Sequence, residues 1–188
     1  MTARVPDELD ELTLARAQRG DDGAFRQLVE RYQSRVHHLL YRLLDPSGRG
    51  ALVDDLCQET FLRVFGALPR FVATGPARLS TWILTIATRL AIQELRRAPV
   101  ASSATVAEPV APERTDADLE RRALGQALRR ALAALDPDQR AVLLLRELDE
   151  LDYEEIATIL DVPVGTVRSR LSRARARLRE VLAEERHG

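Results

Sequence analysis

The sequence predicts an all-α chain: two small helical domains joined by a flexible linker, the C-terminal one a helix-turn-helix. Three observations predict it. Apolar residues recur every three to four positions almost throughout, and nowhere do they alternate convincingly as a half-buried strand requires. Between residues 98 and 118 that period stops, and Pro99, Pro109 and Pro112 stand among small residues, as in a linker. From Asp152 to Leu182 a short amphipathic helix, a tight turn and a basic helix follow one another. The expected domains are therefore 1–97 and 119–188, with 98–118 between them.

In chain order, residues 7 to 19 read as a short helix with Leu9, Leu12 and Ala15 or Arg16 at helical spacing. Gly20-Asp21-Asp22-Gly23 ends it and caps the next. Ala24 to Leu44 is a long helix whose stripe is Phe25, Leu28, Val29, Tyr32, Val36, Leu39, Leu40 and Leu43. After the turn Asp45-Pro46-Ser47-Gly48, Leu52 to Leu68 forms a third helix, with Leu52, Leu56, the Phe61-Leu62 pair and Phe65 expected inside. Pro69 to Pro76 is a loop, and Ser80 is the expected N-cap of a fourth helix, Thr81 to Arg97, carrying Trp82, Ile83, Ile86, Leu90 and Leu95. Beyond the linker, Leu119 to Leu135 shows a stripe of Leu124, Leu128, Leu132 and Leu135. Asp136-Pro137 is an N-cap with proline at the first helical position, and Asp138 to Leu148, with its Val142-Leu143-Leu144-Leu145 run, is apolar enough for a core helix.

The helix-turn-helix is the most informative stretch. Asp152 followed by Glu155 is a capping-box start, and Tyr153, Ile156, Ala157 and Leu160 form one apolar face. Asp161-Val162-Pro163 breaks that helix. The second helix sets Val164, Val167, Leu171, Ala174, Leu178 and Val181 on one stripe and Arg168, Arg170, Arg173, Arg175, Arg177 and Arg179 on its other faces. A basic second helix of this kind fits the major groove of DNA, with its N-terminal residues at base edges. Ser169 and Ser172 point away from the stripe, and Thr166, Arg168 and Arg173 lie on its shoulders. Short serines let the backbone approach DNA, and arginine offers a fork to guanine or phosphate.

Charge says little in total and more in distribution. The formal net charge is −1, but acids crowd Glu147 to Glu155 and bases crowd Arg168 to Arg179, a layout suited to DNA on one face and protein on another. All 28 basic residues are arginine, and lysine and asparagine are both missing, as in a product of a GC-rich genome. The single Cys57 excludes an internal disulfide and a cysteine-based zinc site, and His37, His38 and His187 lack metal-ligand spacing, so no metal or cofactor is expected. No apolar run approaches a membrane span, and MTARVPDELDEL lacks the plan of a signal peptide; a cytoplasmic protein without membrane insertion is expected. No catalytic motif occurs, so no enzyme is expected; Asp54, Asp55 and Glu59 read as a solvated or protein-contacting acidic face rather than a metal cluster.

Three stretches together resemble bacterial sigma factors of the extracytoplasmic-function (ECF) class. Asp54 to Phe61 (DDLCQETF) resembles the D-x-x-Q-E-x-F segment of region 2, which in that family binds the clamp helices of the largest polymerase subunit; the resemblance assigns Asp55, Gln58, Glu59 and Phe61 to core polymerase. Leu79 to Ala87 (LSTWILTIA) resembles the segment leading into minus-ten recognition, and it assigns Trp82, Thr85, Arg89, Arg96 and Arg97 to that element. Arg89 follows Ile86-Ala87-Thr88 where the family usually has asparagine, and Thr85 stands where it often has arginine. Tyr153 to Ala157 with Pro163 to Arg170 is similar to region 4, which reads the minus-thirty-five element, here through Thr166, Arg168, Ser169, Arg170, Ser172 and Arg173. The resemblance implies a dissociable subunit that binds core RNA polymerase and promoter DNA, commonly held inactive by an anti-sigma factor. The alternative is a two-domain helix-turn-helix regulator that is not a sigma subunit, which leaves the Asp55, Gln58, Glu59 and Phe61 pattern unexplained.

Overall fold

The structure, a computed structural model, describes residues 8–72, 78–97 and 116–187, with the backbone alone for 116–120 and 185–187. Among them the helices are α1 (Glu11–Gln18), α2 (Asp22–Leu44), α3 (Val53–Ala67), α4 (Leu79–Arg96), α5 (Asp116–Ala133), α6 (Pro137–Glu147), α7 (Tyr153–Leu160) and α8 (Val164–His187). No strand occurs among the described residues, and no helix there is long and apolar enough to cross a membrane. The expected linker lies outside the described residues except at 116–118, which form the first turn of α5.

Local chemistry explains the helix starts. Asp10 and Asp21 cap α1 and α2, accepting the backbone N–H groups of Thr13 and Ala24. Asp136 caps α6 with Pro137 behind it, and Asp152 and Glu155 close both halves of a capping box on α7. The expected cap at Ser80 is not there: α4 begins at Leu79, Arg78 sits at its N-cap with no side-chain bond, and Ser80 is buried, its hydroxyl donated to Glu8. The hydroxyl donates to a long-range acceptor instead of accepting from the local N–H groups that a cap would meet.

Helices α2 and α3 pack on α4, and α1 packs on α2. The stripe of α2 is buried as expected at Leu28, Tyr32, Val36, Leu39, Leu40 and Leu43, with Ala24 and Leu44 added. Phe25 and Val29, expected in the same stripe, lie at its half-buried edge. The expected interior of α3 needs correction. Its buried residues are Val53, Thr60, Phe61 and Val64, whereas Leu62 and Phe65 are 59% and 51% exposed. Helical spacing cannot bury adjacent Phe61 and Leu62 on one narrow face, since neighbours point about 100° apart. Likewise Leu124 of α5 is exposed, and only Leu132 and Leu135 of its expected stripe are buried, with Leu128 half-buried.

The two halves pack together. Helix α4 is buried on nearly every side, at Leu79, Ile83, Leu84, Ala87, Thr88, Leu90, Ala91 and Ile92. It lies between α2 and α3 on one side and α6 and α7 on the other, as suits a helix apolar around most of its girth. In α6, Ala141 to Leu145 are all buried because α2, α4 and α8 surround it.

Arg140, only 2% exposed, fixes this arrangement. Its guanidinium donates to Leu43 O at 2.6 Å and Ser47 Oγ at 2.9 Å in the first half. It also donates to Leu132 O at 2.9 Å and to Ala133 O and Leu135 O, both at 3.4 Å, in the second. Helices α2 and α5 therefore end on the same side chain, which satisfies carbonyls that have no partner within a helix. Burial pulls the Arg140 pKa down, and nearby Asp136 pulls the other way. Arg140→Met should keep the stem packing but strand those carbonyls. We expect a loss of about 2–4 kcal/mol in urea unfolding. A change below about 0.5 kcal/mol, the range of ordinary surface substitutions, would show that Arg140 is not a structural tie.

Candidate functional site

Two surfaces bring the sequence-predicted residues together. The first is a groove of about 740 Å³ between α2 and α3, lined by Phe25, Val29, His37, Gln58, Leu62 and Phe65 among others. Phe25 and Phe65 meet edge to face with centroids 4.9 Å apart. Phe61 forms the groove's buried floor, and Gln58 is exposed on its wall. Asp55 is exposed nearby on α3, while Glu59 pairs with Arg63 at 2.8 Å, one turn on. Asp54 reaches His37 Nε2 at 3.2 Å. Cys57 also lines the groove; burial, then the charge of Asp54, pushes its thiol pKa up, so it lacks the thiolate character of a reactive cysteine. Sequence reasoning placed Leu62 and Phe65 in the core and so missed them here; their offset from the Val53–Phe61–Val64 face was the available signal.

The second surface runs from α4 to α8. Trp82 is half-buried, tilted 34° against Phe71 with centroids 4.8 Å apart. Gln18 Nε2 donates to Phe71 O at 2.6 Å and fixes that loop against α1. Thr85 donates within its own helix to Thr81 O. Further along α4, Arg89 Nε donates to Ile159 O at 3.3 Å, at the end of α7. Arg96 reaches Asp138 of α6, and Arg97 pairs with Glu94 at 2.8 Å.

On α8 the apolar stripe is as expected: Val167, Leu171 and Ala174 are buried and Leu178 is half-buried. The turn before it is tight, with Asp161 in the left-handed region at φ 55° and Val162 N–H returning to Ala157 O at 3.1 Å. Arg168, Ser172 and Arg173 are exposed, and Arg173 has no acidic partner among the described residues. The Arg168 guanidinium lies 5.7 Å from the Tyr153 ring centre, with Arg146 also over that ring. Thr166 and Ser169 are half-buried, and Ser169 donates back to Thr166 O. Arg170 does not point outward with the others. It turns toward α6 and pairs with Asp138 at 3.0 Å. Arg175 is held by Glu147, and Arg177 by Glu180 at 3.3 Å.

The sequence reading did not single out the acids that meet these arginines across the two halves. Arg35 Nε lies 2.7 Å from Asp149, whose carboxyl pKa burial pushes up against the pull of Arg35. Thr81 Oγ1 donates to Glu155 at 3.3 Å. Arg129 Nε lies 2.9 Å from Asp45. Asp138 carries the densest set, and its only sequence signal was its place in a helix's first turn.

Residues 28–99 match the family model Sigma-70 region 2, and residues 125–178 match Sigma-70, region 4. The ECF RNA polymerase sigma-E factor of Escherichia coli strain K12 is 39% identical over 181 residues, 88% of this chain and 90% of that protein. The ECF RNA polymerase sigma factor SigW of Bacillus subtilis is 32% identical over 186 residues, 91% of this chain and 95% of that protein. Among solved structures, CnrH in complex with the cytosolic domain of CnrY is similar at a TM-score of 0.68 and 25% identity, covering 93% of this chain and 97% of that one. The sigma factor RpoE of Bartonella quintana, in complex with the anti-sigma factor NepR, shares the fold at a TM-score of 0.64 and 24% identity, covering 85% of this chain and 96% of that one.

Proposed function

The chain belongs to the extracytoplasmic-function sigma factors, and we propose a division of labour between its two surfaces in binding core RNA polymerase and directing promoter-specific initiation. Residues 1–97 dock on core through the α2–α3 groove and take up the minus-ten element. Residues 119–188 read the minus-thirty-five element, and 98–118 join the two. The observation that carries this is the pairing, in one chain, of an exposed apolar groove with an arginine-rich helix-turn-helix. A regulator that only binds DNA has no occupant for the groove. The subunit acts in the cytoplasm and has no catalytic activity of its own. An anti-sigma factor fits it as a regulator, as the solved complex of the similar Bartonella quintana sigma factor illustrates.

In the groove, Gln58, Leu62 and Phe65 offer a polar group beside apolar surface, the composition of a docking patch with an energetic centre. Asp55 and Glu59 supply acidic groups alongside it, and Phe61 supports it from below. In the minus-ten role, Arg89, Arg96 and Arg97 meet phosphates or base edges. Trp82 with Phe71 provides an aromatic platform against which an unpaired base stacks. On α8, Arg168 and Arg173 read base edges, while Thr166, Ser169 and Ser172 allow close approach and Arg170 adds a phosphate contact.

Run-off transcription with purified core polymerase tests the reading. Core alone should be silent at a promoter first mapped by overexpressing the chain, and adding the chain should start transcripts at one position. Failure of the chain to replace a sigma subunit would favour the DNA-binding regulator instead. Leu62→Asp with Phe65→Asp should leave the circular dichroism unchanged, because both side chains are exposed. It should weaken core binding by about 2 kcal/mol or more, the scale of an energetic centre. Unchanged affinity would move the polymerase site elsewhere.

A second prediction separates the arginines of α8. Arg168→Ala or Arg173→Ala should flatten discrimination among minus-thirty-five variants, by about 1–3 kcal/mol for each good bidentate contact. Arg177→Ala lies farther along the helix and should weaken all variants alike while lowering the salt slope. Binding series over promoter variants at several salt concentrations distinguish the two. The reverse pattern would mean that α8 docks in another orientation.

A further inference from the structure

We propose that Glu8 and Gln18 are positioning residues for the Phe71–Trp82 platform: the first sets the helix that carries Trp82, and the second sets the loop that carries Phe71. The proposal rests on the reading of those two rings as a stacking surface for an unpaired base. Stacking gains most when the receiving surface is already in place, because ordering it on binding costs free energy. Each ring borrows its hold from the N-terminal segment. The backbone N–H of Trp82 makes a bond of the first turn of α4, to Arg78 O at 3.0 Å. The N–H groups before it have no acceptor within the helix, and Arg78 offers no side-chain cap. Glu8 supplies that acceptor from far away in the chain. Its Oε2 takes the Ser80 N–H at 3.4 Å and its Oε1 takes the Ser80 hydroxyl, two residues before Trp82. A carboxylate there also suits the helix dipole.

Glu8 is itself held. The Tyr32 hydroxyl donates to Glu8 Oε2 at 3.1 Å and accepts the Leu9 N–H at 3.0 Å. Burial, with the Glu8 charge adding, pushes the Tyr32 hydroxyl up to about 12, so it stays a donor. Gln18, the last residue of α1, does the same for the loop. Phe71 follows a single tight turn, Leu68–Arg70. Gln18 Nε2 donates to Phe71 O at 2.6 Å and to Leu68 O at 3.3 Å. Leu68 O also accepts the Phe71 N–H at 3.0 Å, so one amide closes both ends of that turn. Thr13 and Ala17 anchor α1 by burial. The buried side of the segment thus serves the fold, while Glu8 and Gln18 reach the two elements that carry the rings.

The chain has one tryptophan, so its emission reports the platform directly. Gln18→Leu removes the donor at similar size, and Glu8→Ala removes the acceptor. Leu12→Ala changes an exposed residue of the same segment and leaves both ties. In the free full-length chain we expect Gln18→Leu and Glu8→Ala to shift Trp82 emission to longer wavelength and to raise its quenching by acrylamide. Leu12→Ala should do neither, and circular dichroism checks that every variant is folded. Binding is then measured on the complex with core polymerase, by anisotropy of a fluorescein-labelled single-stranded oligonucleotide. Its sequence is the non-template strand across the minus-ten element of the mapped promoter. Both variants should bind it about three- to tenfold more weakly, with unchanged affinity for core. In a Trp82→Ala background the same substitutions should cost nothing further. Unchanged emission would overturn the proposal. So would changed emission with unchanged oligonucleotide binding, since the two side chains would then serve the fold alone. Losses that persist in the Trp82→Ala background would place their action elsewhere and overturn it too. Trp82→Ala judges the platform separately: unchanged oligonucleotide binding there overturns the stacking reading and the proposal with it. A weakened Trp82→Ala beside an unaltered Gln18→Leu overturns the positioning alone.

Discussion

A single buried guanidinium ties the two halves of this protein. Arg140 has no carboxylate within bonding distance among its partners; it is held by four carbonyls and a hydroxyl. Removing a guanidinium from water is costly, and only a nearly full set of acceptors offsets that cost. The acceptors exist because α2 and α5 end there, where helix carbonyls run out of partners and the helix dipole favours a cation. The solution requires both helix ends at once. Register between α6 and α2 is thereby set, and with it the placement of α7 and α8 over α4.

From that placement follows an asymmetry with functional weight. Helix α4 serves the cores of both halves, so its polar residues are drawn into contacts across the boundary: Thr81 with Glu155, Arg89 with Ile159 O, Arg96 with Asp138. The face of α3 that carries Leu62 and Phe65 has no such neighbour and remains open. An initiation factor benefits from that order. In the proposed reading the groove on α3 is open to polymerase, while several of the residues assigned to DNA also make contacts between the halves. Among the outward arginines of α8, Arg168 and Arg173 lie nearest its start, where a positive face meets the negatively charged duplex first in the proposed reading.

Much of this was legible in the sequence, because local rules govern most of it. The capping box of α7, the Asp136-Pro137 start and the Val167–Leu171–Ala174 stripe depend on neighbours within one or two turns. They stand where spacing places them. Most of the misses are non-local. Ser80 has the chemistry of a cap, yet Glu8, far off in the chain, takes its hydroxyl. Leu62, Phe65 and Leu124 have the chemistry of core residues, but hydrophobic character does not say which side of a helix is covered. Arg140 reads as a surface charge beside an apolar run until the ends of two other helices are seen to meet there. The candidate site divides in the same way: motif spacing brought out Gln58 and Arg168, whereas the ties made by Asp138 and Asp149 are seen only once the two halves are packed.

The tie through Arg140 is tested most directly by the distance between two spin labels carried on unnatural residues at Arg19 and Glu180, both exposed and in different halves. The chain should give one narrow, short distribution, and Arg140→Met a broader and longer one. Equal distributions for the two would contradict the role given to Arg140.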